Sequence, residues 1–252
     1  MRIARVSHAD SISFGVIEGE TVARIDGSPV GDLVFTGERF PLADCRLLAP
    51  VLPSKIVAIG KNYRDHAAEM GGEVPAEPLL FLKPSTAVIG PGDVIRKPAG
   101  LTRLDFEAEL VIVIAGLVRN ADEATAERGI LGYTCGNDVS ARDYQFGDGQ
   151  WTRGKGFDTF APLGPWIETD IDPGALQIRS RLNGETKQDA STKDLVFAPA
   201  FLVSYVSKIM TLLPGDIIMT GTPAGVGPME PGDDIEVEIA GIGTLRNTVG
   251  SA

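Results

Sequence analysis

Three carboxylates, in two segments near the middle of the chain, are the residues whose spacing most directly indicates chemistry. Glu107 and Glu109 flank one alanine in the apolar segment 105–114, and Asp138 follows 29 residues after Glu109. Alternation along a strand places both glutamates on one face, and a strand that is apolar on both faces is usually interior. Burying two carboxylates there is costly unless a cation compensates them. Because Cys and His are absent from the set, the pattern predicts an all-oxygen site for Mg²⁺, Mn²⁺ or Ca²⁺. The alternative is a protruding strand end with both glutamates in water.

A second candidate group is the pair formed by His66 and Glu69 in the segment 61–70. Residues three apart share a face if this segment is helical, and Asn62 is its predicted N-cap. A carboxylate beside an imidazole orients the ring and raises its basicity, which is typical of a general base that activates water. The alternative is a histidine at the surface of a short helix.

Four further polar residues follow the carboxylates along the chain. Arg142 and Gln145 lie four and seven residues after Asp138, so a helical turn would project both toward the carboxylates. Lys155 stands between two glycines and could reach an oxyanion, although such a lysine is also typical of an exposed turn. Thr222 lies in the glycine- and proline-rich segment 221–228, which is either a carboxylate-binding loop or a tight connector.

The composition limits the classes of function. The chain has 252 residues and a net charge of −11, and a pI of about 4.7 argues against binding nucleic acid or anionic membranes. Cys45 and Cys135 are too few for a disulfide framework, which favours a reducing compartment. The N-terminus does not resemble a signal peptide, and no apolar run reaches the ~18 residues that a membrane span needs. We therefore expect a cytoplasmic protein without a membrane segment.

Turn signals indicate a body of many short strands. Pro-Gly-Asp recurs at 91–93, 214–216 and 231–233, each time before an apolar segment, and each fits a type II turn with glycine at the third position. Two β-rich segments around residues 18–20 predict a hairpin. Two prolines near residue 50 then predict a boundary between a small N-terminal β module, 1–53, and a larger domain, 54–252.

Helices are few in this pattern. One is predicted over Ala121–Arg128 with Asn120 as its N-cap, and another over about Pro199–Leu212. The segment 71–78 is rich in glycine, proline and glutamate, and we expect it to be a mobile loop or lid. Because no nucleotide-binding glycine motif follows a strand, a nucleotide cofactor is unsupported.

Taken together, these segments resemble the fumarylacetoacetate hydrolase family over about residues 54–252. The matching blocks, in order, are Gly60–His66, Asp105–Leu110, Gly136–Gln145, Lys155, Asn183–Gly184, Gln188 and Gly221–Gly227. The resemblance implies an α+β, mostly β fold, a mixed β-roll or sandwich with few helices, and usually a homodimer. It implies Mg²⁺, or a similar ion, on Glu107, Glu109 and Asp138. It further implies water activation by His66 with Glu69, enolate stabilisation by Lys155 and Gln145, and substrate contacts from Arg142 and Thr222.

The reaction implied is cleavage of a C–C bond in a 2-oxo or 1,3-dicarbonyl acid through a metal-bound enolate. Acylpyruvate hydrolysis and oxaloacetate decarboxylation both have this form. The nearest alternative is a 2-hydroxyhepta-2,4-diene-1,7-dioate isomerase or decarboxylase of aromatic-acid degradation, in which the same enolate is reprotonated elsewhere. A metal-stabilised binding protein without catalysis is a third reading, against which the joint presence of His66, Glu69 and Lys155 speaks.

Overall fold

The computed structural model describes residues 1–252 as twenty β-strands and five short α-helices. The first ten strands are β1 Arg2–His8, β2 Ser11–Glu18, β3 Thr21–Asp26, β4 Val34–Pro41, β5 Arg46–Leu48, β6 Ile56–Gly60, β7 Leu79–Lys83, β8 Val88–Ile89, β9 Val94–Lys97 and β10 Leu104–Phe106. The second ten are β11 Ala108–Ile114, β12 Ile130–Asn137, β13 Ser140–Ala141, β14 Ala161–Glu168, β15 Gln177–Leu182, β16 Glu185–Ser191, β17 Ile217–Met219, β18 Gly227–Met229, β19 Asp234–Ile239 and β20 Gly243–Ser251. The helices are α1 Arg64–Glu69, α2 Glu123–Arg128, α3 Arg142–Gly147, α4 Thr152–Lys155 and α5 Pro199–Ile209. The mostly β fold class with few helices is confirmed.

A large mixed sheet of twelve strands forms the centre of the protein. Its main path runs β4-β3-β2-β1-β14-β12-β11-β17-β6-β7, with β5 on β1 and β8 on β14. Every residue of β11 is buried, because this strand has neighbours on both edges and apolar layers on both faces. Leu110 and Ile112 pack toward one core, while Val111 and Val113 pack toward the other. Glu109, two residues before Val111 in the same strand, shares the Val111 face.

Two smaller sheets complete the body. One has the order β16-β15-β19-β20-β9, and the other has the order β13-β10-β18. The continuous strand that the sequence predicts over Asp105–Ile114 is broken at Glu107: β10 belongs to the three-stranded sheet and β11 to the large one. Glu107 therefore lies where the chain passes from one sheet to the other.

The N-terminal strands extend the large sheet. The predicted hairpin is confirmed, since β2 and β3 pair antiparallel across residues 19 and 20. β1 then pairs with β14, and the amino group of Met1 lies 2.7 Å from Glu168 Oε1. The domain boundary near residue 53 stays a prediction. The strands before it and the strands after it belong to the same large sheet, joined where β1 pairs with β14.

The three Pro-Gly-Asp turns have one common construction. Their glycines, Gly92, Gly215 and Gly232, all have positive φ values, as a type II turn requires. In each turn the aspartate carboxylate accepts the backbone N–H of the residue three positions earlier, at 2.7–2.8 Å. The carboxylate satisfies a donor that would otherwise have no partner, so each turn fixes the strand that follows it.

Helix boundaries differ from the sequence expectations in three places. Asn62 is not the N-cap of α1; its amide instead bonds the backbone carbonyl groups of Phe197 and Thr220 and so ties two distant loops together. Asn120 is not the N-cap of α2, because Asp122 accepts the Thr125 N–H. α5 ends at Ile209, short of the predicted Leu212. None of the five helices is long and apolar enough to cross a bilayer.

Candidate active site

The three predicted carboxylates come together in the structure. One oxygen from each of Glu107, Glu109 and Asp138 lies within 4.8 Å of the others, and all three residues are buried. Glu109 is on β11, Glu107 is at the break between the sheets, and Asp138 follows the end of β12. The Asp138 N–H donates to the Glu107 carbonyl oxygen at 2.9 Å, so the backbone itself holds the two segments together.

The break in the strand leaves two backbone N–H groups without partners in a sheet, and side-chain oxygens accept them. The Glu107 N–H donates to Asn137 Oδ1 at 2.9 Å, and the Ala108 N–H donates to Gln188 Oε1 at 3.0 Å. The Gly221 N–H donates to Glu109 Oε2 at 2.7 Å. Because buried backbone donors need partners, these contacts fix the backbone positions from which the two glutamate side chains extend.

Three buried cations surround the carboxylates. Lys155 Nζ lies 2.7 Å from Glu107 Oε2 and 2.8 Å from Asp138 Oδ2, and Arg142 Nη2 lies 2.7 Å from Glu107 Oε1. Lys83, at the end of β7, pairs with the other Asp138 oxygen and donates to the Val139 carbonyl group at 3.2 Å. Lys83 was not among the site residues predicted from the sequence. Its signal was a lysine that ends an apolar strand immediately before a proline, which also fits an ordinary solvent-exposed strand end.

The cations divide unequally among the carboxylates, and the pKa values follow. Burial alone would raise the pKa of Glu107, but Lys155 and Arg142 bring it well below its usual range. Burial, Asp138 and Glu107 together raise the pKa of Glu109 well above its usual range, and Glu109 has no ion pair. Burial lowers the pKa of Lys83, and the attraction of Asp138 offsets only part of that effect.

This arrangement fits a hard divalent cation. The three residues offer only carboxylate oxygens, which is the donor set of Mg²⁺, Mn²⁺ and Ca²⁺. The Glu109 carboxylate accepts the Gly221 N–H but pairs with no cation, so it is the carboxylate whose buried charge a bound ion would compensate. Glu107, Glu109 and Asp138 are therefore the residues that would hold the ion.

His66 and Glu69 form the pair that their spacing predicted. His66 is buried on α1, and its Nδ1 lies 3.0 Å from Glu69 Oε2. The other Glu69 oxygen accepts the Gly225 N–H at 3.0 Å, which fixes the carboxylate in turn. His66 faces the cavity beside the carboxylates, whereas Glu69 lies outside it. Glu69 is thus placed to orient the ring and leaves Nε2 as the nitrogen available to a ligand.

The cavity has a volume of about 240 Å³ and a polar side and an apolar side. Its polar side brings together eight of the nine predicted site residues: His66, Glu107, Glu109, Asp138, Arg142, Gln145, Lys155 and Thr222. Its other lining residues are the apolar Ile59, Met70, Phe81, Phe146 and Trp151, together with Gly60 and Lys61. The polar end therefore suits a charged, oxygen-rich ligand group, and the apolar residues suit a carbon skeleton.

Arg142 and Thr222 are held by protein partners as well as facing the cavity. Arg142 Nε pairs with Asp105 Oδ2 at 2.8 Å, and its Nη1 donates to Gln145 Oε1 at 2.6 Å. All three guanidinium nitrogens thus contact protein groups, so in this structure Arg142 positions Glu107 and Gln145. Gln145 keeps its amide NH₂ for a ligand. Thr222 Oγ1 accepts from Gln188 Nε2 at 2.7 Å and keeps its proton to donate.

Comparison with known protein families gives two matches. Residues 55–250 match the C-terminal domain family of fumarylacetoacetate hydrolase, and residues 1–50 match an N-terminal family named for Rv2993c. Protein Rv2993c of Mycobacterium tuberculosis is 53% identical, with 99% of this chain and 98% of that protein covered. The mitochondrial oxaloacetate tautomerase fahd2 of Xenopus laevis is 44% identical over 81% of this chain and 68% of that protein.

Two solved structures share the architecture. The 5-carboxymethyl-2-hydroxymuconate delta-isomerase of Mycobacterium smegmatis has a TM-score of 0.95 at 48% identity, with both chains fully covered. The maleylpyruvate hydrolase of Sphingobium sp. SYK-6, solved with manganese(II) and pyruvate, has a TM-score of 0.83 at 31% identity, again with both chains fully covered. Relatives with this fold thus include a hydrolase, an isomerase and a tautomerase, and one of them binds a divalent metal.

Proposed function

Because the chain belongs to the fumarylacetoacetate hydrolase family, we propose that it is a divalent-metal-dependent enzyme that cleaves a C–C bond in 2-oxo or 1,3-dicarbonyl acids. Acylpyruvate-type hydrolysis and oxaloacetate decarboxylation are the two forms of this reaction. The observation that carries the proposal is a buried carboxylate triad that shares one cavity with a carboxylate-oriented histidine. A structural metal site alone would need no such histidine.

Mg²⁺, or Mn²⁺ in its place, is the ion we propose for Glu107, Glu109 and Asp138. When bound, such an ion supplies Lewis acidity that polarises the oxygens of a 2-oxo acid. The chain's own residues then act on the rest of the substrate. Lys155 lies against Glu107 and Asp138, where its positive charge stabilises the oxygen that becomes an enolate as the bond breaks.

Gln145 and Thr222 supply neutral donors to the same polar end. Neither the amide NH₂ of Gln145 nor the hydroxyl proton of Thr222 donates to a protein acceptor, because both residues accept through their oxygens. Both residues line the cavity, so both can bind a substrate carboxylate or keto oxygen. Their partners, Arg142 and Gln188, are buried, and this keeps the donors in place before the substrate arrives.

His66 is the group we propose for proton transfer. With Nδ1 directed at Glu69, Nε2 accepts a proton from water, which then attacks the distal carbonyl carbon in a hydrolytic reaction. In decarboxylation CO₂ leaves without water, so His66 is needed less. The two reactions therefore use the polar end in common and differ in their use of His66.

The second candidate is an isomerase or tautomerase. It is favoured by the 48% identity to the M. smegmatis delta-isomerase and by the 44% identity to the Xenopus tautomerase. In such a reaction the enolate is reprotonated at another atom, and His66 carries the proton instead of activating water. Cleavage yields two fragments or CO₂, whereas isomerisation conserves the mass of the substrate, so product analysis separates the candidates.

The test is turnover of oxaloacetate, acetylpyruvate and fumarylpyruvate, each with Mg²⁺, with Mn²⁺ and with EDTA. We expect turnover of at least one substrate that EDTA abolishes and added metal restores. Glu107→Ala should lose both the activity and the Mg²⁺ binding. Full activity of Glu107→Ala in EDTA would remove the metal from the proposal, and a mass-conserving product would move the assignment to the isomerase.

We also propose a cytoplasmic homodimer, on the strength of the family resemblance. Light scattering should give twice the 26.7 kDa chain mass. A monomer at micromolar concentration would contradict this part of the proposal without affecting the site.

A further inference from the structure

Lys61 is a cation of the cavity that no part of the proposed reaction uses. It follows β6 directly, lines the cavity and is partly buried. Its Nζ makes no ion pair and no hydrogen bond within the chain, whereas the other lysine of the cavity, Lys155, has two carboxylate partners. A cation held without a carboxylate in a ligand cavity can bind an anionic ligand group.

A chain of contacts places Lys61 at the end of the cavity away from the carboxylates. Lys155 Nζ lies 5.3 Å from the Phe81 ring centre, on the carboxylate side. The Phe81 and Trp151 ring centres are 5.2 Å apart, edge to face. Trp151 in turn packs so closely on Gly60 that a Cβ there would lie 2.6 Å from the ring. The aromatic wall thus runs from the metal-binding residues to Gly60 and its neighbour Lys61.

The backbone and a neighbouring loop fix where the Lys61 ammonium lies. Lys61 has a φ of +57°, a left-handed conformation that directs the chain out of β6 and into α1. Its Nζ lies close to Gly72, where a Cβ would be 2.7 Å from it. Gly72 is itself held by a 2.9 Å hydrogen bond from its N–H to the Ala67 carbonyl oxygen. The ammonium therefore lies against Gly72 at the start of the 71–78 segment, and its backbone follows the residue that packs on Trp151.

We propose that Lys61 binds a second carboxylate, at the far end of the substrate, and so makes the enzyme selective for unsaturated 2-oxo dicarboxylates. This inference rests on the proposed function, which places the 2-oxo acid end at the carboxylate triad. A flat, conjugated carbon chain fits against Phe81 and Trp151, and its terminal carboxylate then reaches the unpaired ammonium. A substrate with a neutral methyl tail leaves Lys61 without a partner.

The experiment compares two substrates that share the pyruvyl head and differ in the tail: fumarylpyruvate, with a terminal carboxylate, and acetylpyruvate, with a methyl group. We expect Lys61→Met to lower kcat/KM for fumarylpyruvate about 10–100-fold more than for acetylpyruvate, mainly through KM. Lys61→Arg should retain most of the selectivity, because the charge remains. Gly72→Ala should reduce the selectivity without removing any charge, because the new methyl group displaces the ammonium.

Lys208→Met is the matched control, since it removes one exposed lysine charge on α5 that has no ion pair and lies outside the cavity. Equal losses of kcat/KM for both substrates in Lys61→Met, which leave the substrate ratio unchanged, would overturn the assignment of Lys61. Failure of the wild-type protein to turn over oxaloacetate, acetylpyruvate and fumarylpyruvate alike with Mg²⁺ or Mn²⁺ would instead overturn the proposed function, and with it this inference, whereas turnover of oxaloacetate alone would overturn only this inference. The wild-type measurement thus separates the two failures.

Discussion

Replacing Glu109 by glutamine should stabilise the metal-free protein and, at the same time, greatly reduce the stabilisation that divalent cations give. Glu109 is buried, has no ion pair and accepts one backbone N–H, from Gly221. Burial, Asp138 and Glu107 raise its pKa in the folded state. A carboxyl group whose pKa is raised by folding destabilises the fold wherever it is ionised. Glutamine removes that charge and keeps an oxygen for the Gly221 N–H.

The size of the effect follows from the spacing of the carboxylates. Two unit charges 4.8 Å apart repel by about 3.5 kcal/mol at an effective dielectric constant of about 20. Glu109 has two such neighbours, and the cations Lys83, Lys155 and Arg142 offset much of their charge. We therefore expect Glu109→Gln to gain about 1–3 kcal/mol without metal, or about 2–12 °C in Tm for a chain of this size.

Thermal unfolding in EDTA and across a Mg²⁺ or Mn²⁺ titration measures both effects. The wild-type Tm should rise with metal, because an ion that binds only the folded state stabilises it. The Tm of Glu109→Gln should start higher and rise far less. Glu107→Gln is the matched control: it removes another proposed ligand, but one that Lys155 and Arg142 stabilise, so its Tm should fall in EDTA. A lower Tm of Glu109→Gln in EDTA, or an undiminished rise with metal, would refute the reasoning.

Three further predictions concern the histidine, the loop and the fold. His66→Ala should lower acetylpyruvate hydrolysis about 10²–10⁴-fold and oxaloacetate decarboxylation much less; equal losses would contradict the separate use of water. Residues 71–78 should become protected from hydrogen exchange when Mg²⁺ and oxalate bind together but not when either is added alone, and unchanged exchange would argue against a lid. Burial alone would raise the pKa of Asp216, but hydrogen bonds from Lys55 and Ser54 lower it, so its contribution is present above pH ~4 and lost as the pH falls through the folded pKa. Asp216→Asn should thus lower the free energy of unfolding by about 2–4 kcal/mol at pH 7, measured by denaturant unfolding. The difference from the wild type should shrink below pH ~4, and a difference that grew there would contradict this prediction.

The carboxylate triad could be predicted because its information is local. Period-two alternation predicts Glu107 and Glu109 on one face of a continuous strand, and the two carboxylates do come together although the strand is broken at Glu107. A general preference of hard cations for oxygen then adds Asp138 to the set. The His66–Glu69 pair is equally local, since residues three apart share a face of even a one-turn helix.

Lys83 was not predictable in the same way, because its role depends on a partner 55 residues away. A lysine at the end of an apolar strand is ordinarily exposed, and only the pairing of β7 with β6 buries this one near Asp138. Asn62 shows the same limit. Its position before α1 fits a helix cap, yet its amide is used by the Phe197 and Thr220 carbonyl groups, which the fold brings to it from far along the chain.

The break at Glu107 explains why the proposed metal-binding residues and the proposed substrate-binding residues form one unit. In a continuous strand, the neighbouring strands on its two edges would accept the N–H groups of residues 107 and 108. Here Asn137 and Gln188 accept them instead. Asn137 is adjacent in sequence to Asp138, and Gln188 also donates to Thr222 Oγ1. The same two side chains that replace the sheet hydrogen bonds therefore connect the carboxylate triad to Thr222, one of the proposed substrate donors, and an uninterrupted strand would lack this connection.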